Sequence, residues 1–152
     1  ERREGVLIET KKADNWGKKV PQRKKLRVLL ADDVVANQVV GRRFLEAAGC
    51  EVVVVANGQF AVDAFKQVPF DAVFLDFHMP VMDGLEATRI IRSTEKGRSI
   101  PIWALTADAT PEAEHQCRQA GMNGVITKPF QLTDLKEALG EAGGEEEQKA
   151  LA

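Results

Sequence analysis

Residues 26–33 read LRVLLADD, a short apolar run that ends on the carboxylates of Asp32 and Asp33. Three later runs end in the same way, with residues 72–75 leading to Asp76, 100–105 to Thr106 and 125–127 to Lys128. Apolar runs of this length, separated by helix-like stretches, are typical of buried strands in a parallel sheet. Because ligands of open α/β sheets bind beyond the carboxyl ends of the strands, the pattern predicts one site for a divalent cation and a phosphoryl group.

Strand and helix patterns alternate five times after residue 25. We predict strands at 26–31, 51–55, 71–75, 100–105 and 124–127, and helices at 35–48, 58–67, 85–93, 110–120 and 132–139. Gly49 and Gly121 stand directly after two of these helices, where a left-handed residue commonly ends a helix. Five strand–helix units predict a doubly wound α/β domain with helices on both faces of a parallel sheet.

The composition of the 152-residue chain is that of an ordinary globular protein, with 44% hydrophobic and 29% charged residues. No stretch approaches the length of a transmembrane helix, and we see no secretory signal, so we expect a cytoplasmic protein. Whether a parent chain is anchored in a membrane is left open. Cys50 and Cys117 lack metal-ligand spacing, and we expect two buried thiols in a reducing compartment. With only two His, a histidine-rich metal site is excluded.

The first 25 residues of the chain are basic, whereas the rest of the chain is acidic. Residues 1–25 hold nine Lys/Arg and four Asp/Glu, a net charge of +5, whereas the remaining residues hold twelve and nineteen, a net charge of −7. We interpret 1–25 as a linker or the end of a preceding domain, with a β-prone run at 6–8, in preference to a nucleic-acid-binding arm. We expect one domain at 26–140 and an acidic tail or linker at 141–152.

Three carboxylates at one sheet edge repel one another and resist ionisation unless a cation joins them. Mg²⁺, with Mn²⁺ as the alternative, suits this edge because it is a hard cation that takes oxygen ligands in an octahedron and keeps several waters. We expect Asp33 and Asp76 to bind it directly and Asp32 directly or through water. The backbone carbonyl of His78 is the expected ligand from the following loop.

Asp76 is the candidate nucleophile, because a carboxylate at the end of a central strand can attack phosphorus and form an acyl phosphate. Lys128 is expected to pair with Asp76 before transfer and with phosphoryl oxygens afterwards, and Thr106 to donate its hydroxyl to a phosphoryl oxygen. Each residue alone is more often a helix cap or a solvated loop residue. Their joint occurrence at four strand ends carries the prediction.

These motifs together resemble the receiver domain of the two-component response-regulator family over about residues 26–140. The matching segments are VLLADD at 28–33, DFHMPVMDG at 76–84, LTA at 105–107 and KPF at 128–130. Asn37, Gly49, 56–58 and 120–122 are similar to receivers carried on hybrid sensor histidine kinases. The resemblance implies a flavodoxin-like sheet of order 2-1-3-4-5. It also implies phosphorylation of Asp76 by a histidine kinase or a histidine phosphotransfer domain.

Some positions depart from the family's pattern or are expected to tune its chemistry. Val34 stands where hybrid-type receivers commonly have Asn, and Val125 stands where the family often has an aromatic that moves inward with the threonine. The resemblance places His78 and Asp108 at positions that tune loss of the phosphoryl group, with the sign for Asp108 left open. Ala107 beside Thr106, and Pro129, a candidate cis proline that directs the preceding lysine, complete this set.

The first helix is more apolar than one core-facing stripe requires. The excess residues Val34, Val35 and Val39 form either a docking surface for a histidine-bearing helical partner or part of a wide core stripe. We give the two interpretations equal weight.

The leading hypothesis is a phospho-accepting signalling module, not a conventional turnover enzyme, from a hybrid kinase or a free regulator. An aspartyl-phosphate phosphatase is the enzymatic alternative, but its general acid would be a second Asp two residues after Asp76, where this chain has His78. A pseudo-receiver that serves only as a binding scaffold is the third hypothesis. By family resemblance, the fourth helix, fifth strand and last helix form the expected output or homodimer face.

Overall fold

The computed structural model describes residues 25–143, with side chains described as far as residue 140. Five strands alternate with five helices. The strands are β1 (Arg27–Ala31), β2 (Glu51–Val55), β3 (Ala72–Asp76), β4 (Ile102–Thr106) and β5 (Gly124–Thr127). The helices are α1 (Val35–Ala47), α2 (Gly58–Gln67), α3 (Gly84–Arg92), α4 (Pro111–Ala120) and α5 (Leu132–Gly143).

All five strands form one parallel sheet in the order β2-β1-β3-β4-β5, as the resemblance implied. The central strand β3 is buried along its whole length, and β1 is buried after its first residue. Burial on both faces explains their continuous apolar sequences. The register aligns Ala31 with Leu75 and Asp76 with Leu105, so the strands end at nearly the same level.

The sheet separates two hydrophobic cores. One contains Leu29, Val73 and Ile91, together with residues of α2, α3 and α4. The other contains Leu30, Phe74 and Leu135, together with residues of α1 and α5. Successive residues of β1 and β3 thus point to opposite cores, as the alternation of side chains along a strand requires.

Helix ends follow local chemistry. The side chains of Asn57, Asp83 and Thr110 accept hydrogen bonds from backbone N–H groups in the first turns of α2, α3 and α4. Gly121 ends α4 with a φ of 108°, a conformation that an L side chain disfavours. These caps explain why the predicted bounds of α2 agree with the structure and those of α4 agree to within one residue.

The predicted bounds of most other elements differ from the observed ones by one or two residues, and the end of α5 differs by four. The strand β4 begins at Ile102 and not at residue 100, although the Pro101 carbonyl still accepts from Val73 N–H at 3.0 Å. The strand β3 includes Asp76, and α5 continues to Gly143 through glycines that argued for an earlier end. The predicted β-prone run at 6–8, the rest of the basic segment and the tail after 143 lie outside the described residues. The division of the chain into segments 1–25, 26–140 and 141–152 therefore stays a prediction.

Both cysteines are buried and free, as predicted. Within residues 25–143, no helix has the length and apolarity needed to cross a membrane.

Candidate metal and phosphoryl site

The predicted residues meet at the carboxyl end of the sheet. Asp76 and Thr106 are the last residues of β3 and β4, Asp32 follows β1, and Lys128 follows β5. One carboxylate oxygen from each of Asp32, Asp33 and Asp76 lies within 4.8 Å of the others. The adjacency of β1 and β3 at the sheet centre produces this cluster.

Asp32 is fully buried and its surroundings are asymmetric. Its Oδ1 accepts hydrogen bonds from Val34 N–H at 2.9 Å and from Asn37 Nδ2 at 3.3 Å. Its Oδ2 lies 3.2 Å from Lys128 Nζ, close enough for an ion pair, yet it receives no hydrogen bond from the described residues. The Lys128 ammonium is the partner of this buried oxygen, and it is shared with Asp76, so the oxygen keeps capacity to bind a second cation.

Lys128 joins two of the three carboxylates. Its Nζ donates to Asp76 Oδ1 at 3.1 Å and also faces Asp32. Burial alone would lower the pKa of Lys128, but the attraction of Asp32 and Asp76 outweighs burial, so its pKa is raised. The ammonium is therefore charged at any physiological pH and neutralises part of the cluster.

The pKa of the Asp76 carboxyl group is well above that of an ordinary aspartate. Burial first, and then the negative charge of Asp32, raise its pKa to about 6, and Asp33 adds to the rise. Lys128 opposes the rise without cancelling it. One lysine therefore does not balance three carboxylates, and the site retains an excess of negative charge near neutral pH.

These residues fit a magnesium ion. Carboxylate oxygens are the ligands that Mg²⁺ prefers, and it holds them while retaining waters. The buried Asp32 and Asp76 and the exposed Asp33 each offer one carboxylate oxygen within 4.8 Å of the other two. The excess negative charge supplies the electrostatic attraction.

Thr106 closes the opposite side of the site and is almost fully buried. Its Oγ1 accepts from Asp108 N–H at 3.1 Å, which directs the hydroxyl proton away from that group. Its backbone carbonyl accepts from Lys128 N–H at 2.7 Å, so the two residues are tied together across neighbouring strand ends. This bond fixes the spacing of the two backbones at the edge of the sheet.

The loop after Asp76 packs closely against neighbouring backbone at two glycines. A side chain on Gly84 would begin 2.4 Å from the Asp76 carbonyl oxygen, and one on Gly58 would begin 2.2 Å from the Met82 carbonyl oxygen. Only glycine permits these approaches. Val81 in the same loop has a φ of 70°, which is strained for a β-branched residue.

Two of the predicted tuning residues, His78 and Asp108, line one cleft with Thr106. The cleft has a volume of about 690 Å³, and it reaches His115 on α4. The exposed His78 ring lies edge-on to Phe77 with centroids 4.7 Å apart. Ala107 is exposed, whereas Val125 is half-buried against the core on the α4 side. The peptide bond between Lys128 and Pro129 is cis.

The apolar excess of α1 faces outward. Val34, Val35 and Val39 are 47%, 69% and 45% exposed, and Val40 joins them at 43%. A wide core stripe does not explain these side chains, because core contacts would bury them. They form a patch of valines, which we call the α1 valine patch, beside Asp32 and Asp33.

Two further α1 residues belong to the site, and chemical reasoning from the sequence assigned them no role. Asn37 reaches Oδ1 of Asp32, and Gln38 Nε2 donates to the Asp32 backbone carbonyl at 2.7 Å. The available signal was their spacing, five and six residues after a strand-end Asp, which places carboxamides one turn into the helix that follows.

Comparisons with known proteins agree with this geometry. The family model described as "Response regulator receiver domain" matches residues 28–140. Hybrid signal transduction histidine kinase K of Dictyostelium discoideum is 36% identical over 121 residues, which cover 75% of this chain. The chain spans 10% of that kinase and 12 to 16% of the bacterial and plant sensor proteins that also match it.

Solved structures show the same fold. The receiver domain of a sensor histidine kinase from Pseudomonas aeruginosa, crystallised with magnesium in its active-site cleft, is 38% identical with a TM-score of 0.74. The alignment covers 80% of this chain and all of that one. The Saccharomyces cerevisiae complex of a histidine phosphotransfer protein with a downstream receiver domain matches at 30% identity and a TM-score of 0.73. That alignment covers 80% of this chain and 91% of the other.

Proposed function

This chain belongs to the response-regulator receiver family, and on that premise we propose that it accepts a phosphoryl group from a phosphohistidine onto Asp76. The observation that carries the proposal is the juxtaposition of Lys128 Nζ, 3.1 Å from Asp76 Oδ1, with three carboxylates within 4.8 Å. Such an edge can hold a divalent cation and a phosphoryl group together. The module would then signal through a change in conformation at this edge.

In the proposed reaction, a carboxylate oxygen of Asp76 forms a bond to phosphorus as the bond between phosphorus and the donor's histidine nitrogen breaks. The electron pair and a proton from solvent remain on the imidazole. Asp32, Asp33, Asp76 and the His78 carbonyl would hold Mg²⁺ or Mn²⁺, which supplies positive charge to the phosphoryl oxygens.

The other side chains handle charge and position. The Lys128 ammonium leaves Asp76 Oδ1 for a phosphoryl oxygen once the carboxylate charge is consumed, and the Thr106 hydroxyl donates to a second one. Placing donors where charge develops is the largest part of catalysis in phosphoryl transfer. The backbones of Thr106 and Lys128 are already held together, because Lys128 N–H donates to the Thr106 carbonyl.

We propose that the partner is a helical histidine phosphotransfer domain or histidine kinase that docks on the α1 valine patch. The yeast neighbour was crystallised with such a phosphotransfer protein, and an exposed apolar patch beside a reactive site marks an interaction surface. Val39→Asp should slow transfer from a phosphorylated phosphotransfer domain at least tenfold and leave labelling by acetyl phosphate unchanged. Val68→Asp, at an exposed valine after α2, is the matched control. Equal rates for both variants would reject this surface.

We further propose that the chain is the receiver module of a cytoplasmic hybrid kinase region, because relatives of that class match the same segment. The 1–25 and 141–152 segments would then be its linkers. Homodimerisation through α4, β5 and α5 remains a prediction. The phosphatase alternative lacks its second acid, since His78 occupies that position.

Intact mass after incubation with Mg²⁺ and acetyl phosphate tests the function. The wild type should gain the mass of one phosphoryl group, and Asp76→Asn should gain none. Asp63→Asn, which removes an exposed carboxylate on α2, should behave as the wild type does. No gain in a folded wild type would favour the scaffold hypothesis, and a gain in Asp76→Asn would place the acceptor elsewhere.

A further inference from the structure

We propose that Asn37 and Gln38 of α1 are positioning residues for the metal site, which orient Asp32 so that its Oδ2 is presented to the cation. The proposal rests on the proposed metal-dependent function and adds two residues to its machinery. The side chains of both residues are neutral carboxamides, so they would act by orienting Asp32 and not by reacting.

The backbone N–H, the backbone carbonyl and Oδ1 of Asp32 are all held by hydrogen bonds. Its backbone N–H donates to the Val55 carbonyl at 3.1 Å, and its own carbonyl accepts from Gln38 Nε2 at 2.7 Å. Its Oδ1 is engaged by Val34 N–H and Asn37 Nδ2. Every polar group of this buried residue therefore has a hydrogen-bond partner except Oδ2, which is paired with the Lys128 ammonium.

The direction of the remaining oxygen, Asp32 Oδ2, is fixed by its surroundings. Oδ2 is buried and faces the ammonium of Lys128 at 3.2 Å, and the same ammonium donates to Asp76 Oδ1 at 3.1 Å, so this oxygen points toward the acidic cluster. Two donors on Oδ1 resist rotation of the carboxylate about its χ2 angle. The orientation that leaves Oδ2 in the cluster is thus held before any cation arrives.

Lys128 competes with a bound cation for Asp32 Oδ2, because its Nζ lies 3.2 Å from that oxygen. If Oδ1 lost its carboxamide donor, the carboxylate would be freer to turn and form a better-aligned pair with this ammonium. A cation would then have to displace that pair before binding. Removing groups that orient a metal ligand commonly weakens metal affinity about 10- to 100-fold.

The 3.3 Å length of the Asn37 bond places it at the weaker end of hydrogen bonds. We therefore expect Asn37→Ala to raise the dissociation constant for Mg²⁺ about tenfold, the lower end of that range. Gln38→Met, which keeps the length of the side chain and removes its donor, should act in the same direction. Both substitutions introduce good helix formers, so α1 should persist.

The test measures the midpoint of thermal unfolding as a function of Mg²⁺ concentration, without a phosphodonor. A structural role alone would lower the midpoint of the metal-free protein and leave the dissociation constant unchanged. Gln59→Ala is the matched control, because it removes a carboxamide that donates to Asp63 at 3.0 Å on an exposed face of α2.

A raised dissociation constant in Asn37→Ala and Gln38→Met, with Gln59→Ala unchanged, supports the positioning role. Constants equal to that of the wild type in both α1 variants would overturn it while leaving the proposed function intact. A wild type whose unfolding midpoint does not respond to Mg²⁺ would overturn the positioning role and the metal site together.

Discussion

Replacing Asp76 with Asn should stabilise the metal-free protein against unfolding. Burial and neighbouring carboxylates raise the pKa of Asp76 from 3.8 to about 6. A rise of this size corresponds to about 3 kcal/mol that opposes folding when the group is fully ionised. The asparagine side chain carries no charge, so it removes this term.

The sign of the pH dependence follows from the direction of the shift. A carboxyl group with a raised pKa favours the folded state when protonated, so the unfavourable contribution is absent below about pH 4 and complete above about pH 7. The stability difference between Asp76→Asn and the wild type should fall from about 3 kcal/mol at pH 8 to about 1.5 kcal/mol at pH 5. These values are upper bounds, because relaxation of the site reduces the repulsion.

Urea unfolding in EDTA, followed by far-ultraviolet circular dichroism at pH 5 and pH 8, measures this difference. Asp63→Asn serves as the control for removing an exposed carboxylate. Saturating Mg²⁺ should stabilise the wild type by about 2.7 kcal/mol at 100 times its dissociation constant and should narrow the difference. A variant no more stable than the wild type at pH 8, or an advantage equal at both pH values, would refute the reasoning.

Three further substitutions test single contacts. Lys128→Met should destabilise the metal-free domain by about 2 kcal/mol in urea unfolding at pH 8, because it leaves Asp32 and Asp76 without their cation; unchanged stability would mean that the ion pairs are weak. Gly84→Ala should cost about 2 kcal/mol or more in the same assay, because its Cβ would start 2.4 Å from the Asp76 carbonyl oxygen; a neutral effect would show that the loop yields easily. Val81→Asn should raise stability by about 1 kcal/mol by relieving the left-handed conformation, and a lower unfolding midpoint would contradict that strain.

The strand ends were predictable from the sequence because each one is marked by an apolar run and the polar residue that follows it. Buried parallel strands such as β3 are short continuous apolar runs, and the first polar residue after each marks the sheet edge. Asp76 and Thr106 followed from that pattern, and parallel connections bring such ends together. The sheet order itself came from family resemblance and is confirmed by the strand pairing.

Close approaches between distant segments were not predictable. Arg92 donates to the carbonyls of Gly97, Ile100 and Gly121 and to the side chain of Asn123, a set that no local pattern reveals. Burial lowers the pKa of this guanidinium, which nonetheless serves as a structural link between α3 and the loops before β4 and β5.

The orientation of the site's side chains was equally hidden. Spacing placed Asp32 at the edge, but only the folded structure shows that Asn37 and Val34 donate to one carboxylate oxygen while the other faces Lys128. The choice between a buried and an exposed valine patch on α1 also needed the packing of the helix, because periodicity alone allows a broad core stripe.

The most direct test of the account is to locate the phosphoryl group. Wild-type protein treated with Mg²⁺ and acetyl phosphate would be reduced with borohydride, which converts an aspartyl phosphate into homoserine, and then digested and sequenced by tandem mass spectrometry. We expect homoserine at position 76, in an amount that rises with phosphodonor and disappears in EDTA. Homoserine at position 32 or 33, or unmodified Asp76 in a sample that carries a phosphoryl group, would contradict the account.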